Sequence, residues 1–178
     1  MYNPKETITT SRLLLRKLRK DDALPMFKNW DSDPEVAKYT IWVAHKSVEE
    51  TEELVNKWLK EEKENIRIRF VITIKGNDEP IGAIDTVYFV DGVPAIGYSL
   101  SRKYWNKGYM SEACLAFINY LFNQGYPKIL ICADKRNAGS LRVIEKCGFK
   151  FTHEEFLEHR SIYKEESVTL RWYEMLKK

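Results

Sequence analysis

Along this chain, runs that are apolar at every second residue give way to runs that are apolar at every third or fourth, and each change of period marks a new element. Arg12 to Leu18 reads as a first strand. Helices are opened by Asp21 or Asp22 and again by Asp33 followed by Pro34, an acidic N-cap with proline at the first helical position. Ser47-Val48-Glu49-Glu50 has the spacing of a capping box. It starts a helix whose Val48, Leu54, Val55, Trp58 and Leu59 form a stripe for burial, with the acidic residues from Glu49 to Glu64 on the solvated side. Ile66 to Ile74 alternates strictly, with Ile66, Ile68, Phe70, Ile72 and Ile74 on one side, the pattern of a half-buried strand.

Gly76 to Pro80 turns the chain into a strand from Ile81 to Val90, and Asp91-Gly92 is a hairpin signal leading to a strand over Ala95 to Leu100. Ser111 to Asn123 is helical, with Ala113, Ala116, Phe117, Tyr120 and Leu121 on one face. Lys128 to Asp134 is an apolar strand, followed by a helix after Asn137 that closes at Lys146-Cys147-Gly148-Phe149. Two β-like runs come last, Lys150 to Leu157 and Glu166 to Glu174, the second burying Val168, Leu170, Trp172 and Tyr173. This order predicts one α+β domain over residues 1–178, built on a mixed, mostly antiparallel sheet of six or seven strands flanked by about four helices.

The junction Tyr104-Trp105-Asn106-Lys107-Gly108-Tyr109-Met110-Ser111-Glu112-Ala113 carries the candidate chemistry. It joins a strand to a helix N-terminus, where unpaired N–H groups and the positive end of the macrodipole favour a phosphate. Gly108 permits backbone angles closed to other residues and a close approach by an anion, and Lys107 offers a charge-assisted contact. A nucleotide-hydrolase loop needs Gly-x-x-x-x-Gly-Lys-[Ser/Thr], whereas here lysine precedes the only glycine; the Gly-x-Gly-x-x-Gly dinucleotide fingerprint fails as well.

The junction, the Asn137-Ala138-Gly139-Ser140 segment after an apolar strand, the closing Gly148-Phe149 and the opening Thr10-Ser11-Arg12-Leu13-Leu14-Leu15-Arg16 together resemble the GCN5-related N-acetyltransferases (GNAT). Trp105-x-x-Gly108 followed by Ser111-Glu112-Ala113 is similar to the branch of ribosomal-protein N-terminal acetyltransferases (RimJ/RimL-like). The resemblance implies a sheet with a splayed centre that admits the thioester of acetyl-CoA. It implies a cofactor-binding set of Ser99, Leu100 and Ser101 at the end of a strand, then Trp105, Asn106, Lys107, Gly108, Tyr109, Met110 and Ser111 across the turn, with Asn137 and Ser140 opposite. Asn106 departs from the glycine usual in the branch, but asparagine tolerates left-handed angles better than most residues.

Acetyl transfer to an amine requires the acceptor to lose a proton, a donor for the developing oxyanion and an acid for the departing thiolate. The family's oxyanion donor is a backbone N–H, here near Ser99 or Leu100. The tyrosine that many members carry as acid is replaced by Ile144, so Ser140 is the candidate, with first-turn backbone bonding as its structural alternative. The usual glutamate is replaced by Ala95, which leaves Asp85, Tyr98 and Glu112 as a short list of further catalytic candidates. Asp85 faces either the splayed centre or solvent, and Glu112 also has a helix-dipole reason for its position. Tyr39-Thr40-Ile41-Trp42 is the candidate acceptor wall, through Tyr39 and Trp42, with core packing as the alternative.

Composition fits an intracellular enzyme. The 178 residues suffice for one real core, and the net charge of +3 makes no case for nucleic-acid binding. No apolar run approaches the roughly 20 residues of a membrane helix, and Met1-Tyr2-Asn3-Pro4-Lys5-Glu6 does not begin a signal peptide. Cys114, Cys132 and Cys147, with scattered His45, His153 and His159, give no disulfide or metal pattern, and Cys147 reads as a small apolar filler. The resulting expectation is a cytoplasmic, metal-free acetyltransferase, as monomer or homodimer. Its leading acceptor is the N-terminal amine of a protein, a ribosomal one included. Small amines, amino acids and aminoglycoside-like drugs are alternatives, and a non-catalytic acyl-CoA sensor is the reading from another class.

Overall fold

The computed structural model describes Asn3 and residues 6–178, so the reading of the first residues as no signal peptide lies largely outside the described residues. Eight strands form one sheet: β1 (Thr7–Thr9), β2 (Leu13–Arg16), β3 (Arg69–Ile74), β4 (Asn77–Val90), β5 (Val93–Leu100), β6 (Lys128–Asp134), β7 (Lys150–Leu157) and β8 (Val168–Leu176). Their order across the sheet is β1-β2-β3-β4-β5-β6-β8-β7, antiparallel everywhere except between β5 and β6. The strand beyond the expected count is β1, three residues too short to show a period.

Among the described residues five α-helices accompany the sheet. The first, α1 (Ala23–Met26), runs on into a π-turn over Phe27–Asp31; α2 is Pro34–Ala37, capped by Asp33, whose side chain accepts from the Glu35 N–H. The long α3 (Val48–Lys63) starts where expected, but the reciprocal box is not made: Glu50 accepts from the Lys46 N–H instead. On the other face lie α4 (Tyr109–Asn123) and α5 (Ala138–Lys146).

The two faces make two cores. On one, Leu13, Leu15, Phe70, Ile72, Ile84, Ile96 and Ile131 pack against Phe117, Leu121 and Ile144 of α4 and α5. On the other, Val71 and Ala83 meet Met26, Trp30, Val36 and Val55. This corrects the half-buried reading of β3, since Arg69, Val71 and Thr73 on its second face are as buried as Phe70 and Ile72. Alternation shows which residues share a face; it does not show whether a helix covers the other.

The acidic face of α3 needs a correction too. Glu62 is only 1 % exposed, because Thr51, Val55 and Glu62 share the inner side of the helix and meet Lys17 and the fully buried Arg69. Burial pushes the Glu62 carboxyl up to about 7 against the pull of Lys17 and Arg69. On β8 the buried residues are Val168 and Tyr173, while Leu170 and Trp172 are only half-buried, so the expected parity is not kept.

Candidate active site

The site begins where the sheet stops pairing. The parallel ladder between β5 and β6 holds only at Ala95↔Leu130 and Ile96↔Ile131, and beyond it the strands diverge. The other side of β5 stays paired to β4 through Leu100, and Ser101 N–H donates to Ile81 O at 2.8 Å. Alternation therefore turns the N–H groups of Tyr98 and Leu100 away from β4 and toward the gap, while that of Ser99 faces β4. Carboxyl ends of adjacent parallel strands that part in this way make the usual ligand crevice of a mixed sheet.

At the mouth of the gap, Ser101 to Gly108 wraps into α4. Asn106 (φ 60°) and Gly108 (φ 78°) both take left-handed angles, as the asparagine-for-glycine replacement requires. Successive turns of opposite hand gather main-chain N–H groups into an anion-binding concavity. The first α-helical bond runs from Glu112 N–H to Gly108 O at 3.1 Å, which leaves the N–H groups of Tyr109, Met110 and Ser111 without an intrahelical acceptor. Trp105 stays 39 % exposed while its indole N–H donates to Leu100 O at 2.8 Å, fixing the loop to the strand end. Lys107 Nζ donates to Lys103 O at 2.8 Å, and Ser101 and Met110 are buried beneath.

Across the gap, Asn137 caps α5 by accepting from the Ser140 N–H at 3.1 Å, which leaves its amide NH₂ as a donor. The hydroxyls of Tyr98 and Ser140 meet at 2.9 Å, and Tyr98 also donates to Ser140 O at 3.3 Å. Burial drives the Tyr98 hydroxyl upward in pKa, so it stays protonated. Ile144, where the family tyrosine would stand, is fully buried in the α4/α5 core. Cys147 is likewise buried there, with Sγ 3.7 Å from Ser111 O.

The two carboxylates on the short list are engaged elsewhere. Asp85 accepts from Arg69 Nη2 at 2.7 Å and from Nε at 3.1 Å, and that guanidinium lies 3.9 Å from the Trp58 ring centroid on the α3 side. Glu112 accepts from Thr10 Oγ1 and Arg12 Nε, each at 2.6 Å, and from Arg12 N–H at 2.8 Å. Burial alone would raise the Glu112 carboxyl, but Thr10 and Arg12 outweigh it and hold it low. Arg12 is the residue that pattern reading missed. Its guanidinium also donates to Lys107 O at 3.0 Å and lies 4.3 Å over the Tyr109 ring, so it braces the turn at Asn106 to Gly108. The only sequence signal was its place in the opening Thr10-Ser11-Arg12 motif.

Tyr39 and Trp42 lie in the connection from α2 to α3, where Trp42 packs against the Met26/Trp30 core, as the core-packing alternative expected. The Tyr39 carbonyl accepts from Arg160 at 2.9 Å, and the Trp42 ring packs 6.1 Å from His45. Asp134, at the carboxyl end of β6, is fully enclosed by Arg160 and Arg136; burial opposes them, yet their bonds and charges hold its carboxyl at about 2. Among the described residues no three His, Cys, Asp or Glu side chains are grouped to hold a metal, and no helix is long and apolar enough to cross a membrane.

A parted parallel ladder, with outward helix N–H groups and two left-handed residues on one bank and a capped helix on the other, makes a crevice lined by main-chain donors. Residues 12–150 match the Acetyltransferase (GNAT) domain family, so the chain belongs to the GNAT family, enzymes that transfer acetyl from acetyl-CoA to an amine nitrogen. It is 32 % identical over 148 residues to the uncharacterized N-acetyltransferase p20 of Bacillus licheniformis, covering 82 % of this chain and 83 % of p20. The crystal structure of a GNAT-family acetyltransferase from Bacillus anthracis superposes with TM-score 0.81 at 28 % identity, over 96 % of this chain and 98 % of that one. The Salmonella typhimurium acetyltransferase that modifies the N-terminal serine of ribosomal protein L7/L12 shares the fold, with TM-score 0.83 at 16 % identity over 97 % and 100 % of the two chains.

Proposed function

We propose that this enzyme moves acetyl directly from acetyl-CoA to the N-terminal amine of a protein, a ribosomal protein being the leading class, and that it does so in the cytoplasm, which its three free cysteines fit. The observation that carries the reading is the Tyr98–Ser140 hydroxyl pair, set beside main-chain donors in the gap. Acetyl-CoA supplies the activated thioester. The turn from Trp105 to Ser111 is shaped for its diphosphate, with Gly108 at a φ of 78° and the N–H groups of α4 turned outward. Asn137 offers its amide to the pantetheine arm, and Tyr98 N–H and Leu100 N–H are the donors available to the thioester carbonyl. Ser140 and Tyr98 pass a proton to the leaving thiolate and are restored by the proton that the acceptor nitrogen sheds as the amide bond forms and the C–S bond breaks.

The acceptor class follows from what the arginines have taken. With Asp85 and Glu112 both bound to guanidinium groups, no carboxylate on the short list is free to strip an ammonium. An amine that is already partly neutral is then favoured. An α-amine, with a pKa near 7.7–8.0, is neutral at pH 7 about a few hundredfold more often than a lysine side chain near 10.4. Tyr39 and Trp42 would form the wall that receives the peptide behind that amine. The similarity to the Salmonella enzyme points the same way. The engaged carboxylates also suit a non-catalytic acyl-CoA sensor, the second reading.

Calorimetric titration with acetyl-CoA, followed by thiol release against N-terminal peptides and small amines, tests both. Peptide-dependent release is expected. Binding without release from any amine would favour the sensor, release only with small molecules would move the acceptor class, and no binding would overturn the cofactor site.

A further inference from the structure

We infer that Arg160, seconded by Lys164, is a positioning residue that fixes the acceptor wall; this rests on the reading of Tyr39 and Trp42 as that wall. Arg160 lies between β7 and β8, and its side chain is 2 % exposed although the segment runs over the surface. Its guanidinium reaches three separate parts of the chain. Nη2 binds Asp134 Oδ2 at the end of β6, Nε donates to Glu166 Oε1 at 2.8 Å, and Nη1 donates to Tyr39 O at 2.9 Å. Arg160 N–H also donates to Glu166 O at 3.0 Å, and Ser161 pairs with Lys164, so the loop is closed on itself before it reaches outward.

Lys164 makes the second tie. Its ammonium donates to Ala37 O at 2.5 Å, Thr40 O at 3.0 Å and Lys38 O at 3.3 Å, satisfying the carbonyl end of α2. The other end of α2 is tied to the β5 side, where the cap residue Asp33 pairs with Arg102 just after β5 at 3.0 Å. The segment from Asp33 to Thr40 thus crosses from the β5 bank to the β6/β8 bank and is anchored on each. Both cations are spent on protein oxygens, and the tied loops expose three large apolar side chains among charged ones such as Lys38 and Glu165: Ile162 is 89 % exposed, Tyr163 67 % and Ile41 57 %.

A buried Arg–Asp pair is weak evidence for stability, since its desolvation offsets its attraction. The planar fork of an arginine reaches acceptors on three separate segments through three different nitrogens, a spread that the single nitrogen of a lysine at the same position cannot span. Replacing Arg160 leaves Asp134 bound to Arg136 at 2.7 Å, so no charge is stranded and the fold should survive.

The test compares Arg160→Met, Arg160→Lys and Lys164→Met with the wild-type chain. Hydrogen exchange should rise over residues 36–45 in all three. The KM for a serine-first hexapeptide should rise about tenfold or more in the arginine variants, as expected for losing hydrogen bonds to a charged group. The Kd for acetyl-CoA and turnover with glycinamide, an α-amine too small to need the wall, should stay within about twofold. Unchanged exchange, an unchanged peptide KM, or a parallel loss of acetyl-CoA affinity would each overturn the inference. Thiol release with glycinamide but no peptide would overturn the protein-acceptor reading instead; raised exchange at 36–45 with intact acetyl-CoA affinity would then still uphold Arg160 as the residue holding that segment.

Discussion

Tyr98 on β5 and Ser140 on α5 touch hydroxyl to hydroxyl at 2.9 Å, across the point where the sheet has stopped pairing. Either oxygen can hold the proton that goes to a thiolate, so each covers in part for the other. Tyr98→Phe and Ser140→Ala should each lower kcat about tenfold while the Kd for acetyl-CoA stays within about threefold. The double variant should fall toward the 10² or more typical of a lost general acid. Steady-state kinetics beside calorimetry makes the check, and full activity in the double variant would remove the pair from the mechanism.

Gly108 stands at φ 78°, and a side chain there would point to within 3.4 Å of Arg12 Nη2. Gly108→Glu strains that angle and puts a negative charge where a diphosphate is to sit. Acetyl-CoA affinity should drop at least a hundredfold by calorimetry, with a cooperative thermal transition retained. Unchanged affinity would show that the turn is not the phosphate site.

Glu112 is held by Thr10 and Arg12, so its work is to fasten the start of β2 to the start of α4. Glu112→Gln should lower stability by about 1 kcal/mol, discounted because Arg12 is well exposed. The pH profile of kcat/KM should keep its shape. A lost ionisation in that profile would restore Glu112 as a base.

Glu62 has an ordinary value of 4.5 and is raised by burial to about 7. The sign is the reverse of a salt-bridged carboxylate. Below pH 4.5 both states are protonated and Glu62 makes no difference. Between 4.5 and 7 the folded state binds the extra proton, so stability falls as pH rises, by at most about 3.5 kcal/mol at about 1.4 kcal/mol per pH unit. Glu62→Gln should therefore raise Tm relative to wild type at pH 8 and leave it nearly unchanged at pH 4.5. Denaturation at the two pH values decides it, and an equal shift at both would mean that Lys17 and Arg69 keep the carboxylate charged throughout.

Much of this architecture is legible in the chain because its signals are local. Asn137 caps α5, Asp91-Gly92 turns with two positive φ angles, and Gly108 opens α4, each from a short motif. What was not legible joins distant positions. Glu62 looks like one more acid on a polar helix face until Lys17 and Arg69 are brought under it. Arg160 and Lys164 sit in a polar loop whose partners are Tyr39, Asp134 and the end of α2, and no period encodes such a meeting. The eventual tie between Glu112 and Arg12 spans 100 positions.

Two residue pairs are all that stitch β1–β5 to β6–β8 through the backbone ladder, and past them the N–H groups of Tyr98 and Leu100 have no partner strand. Exposed main-chain groups of that kind are costly to leave dry. The seam therefore stays receptive to whatever brings amides of its own. A loaded enzyme should be a stiffer body than an empty one, gaining about 2.7 kcal/mol when the ligand is a hundred times its Kd.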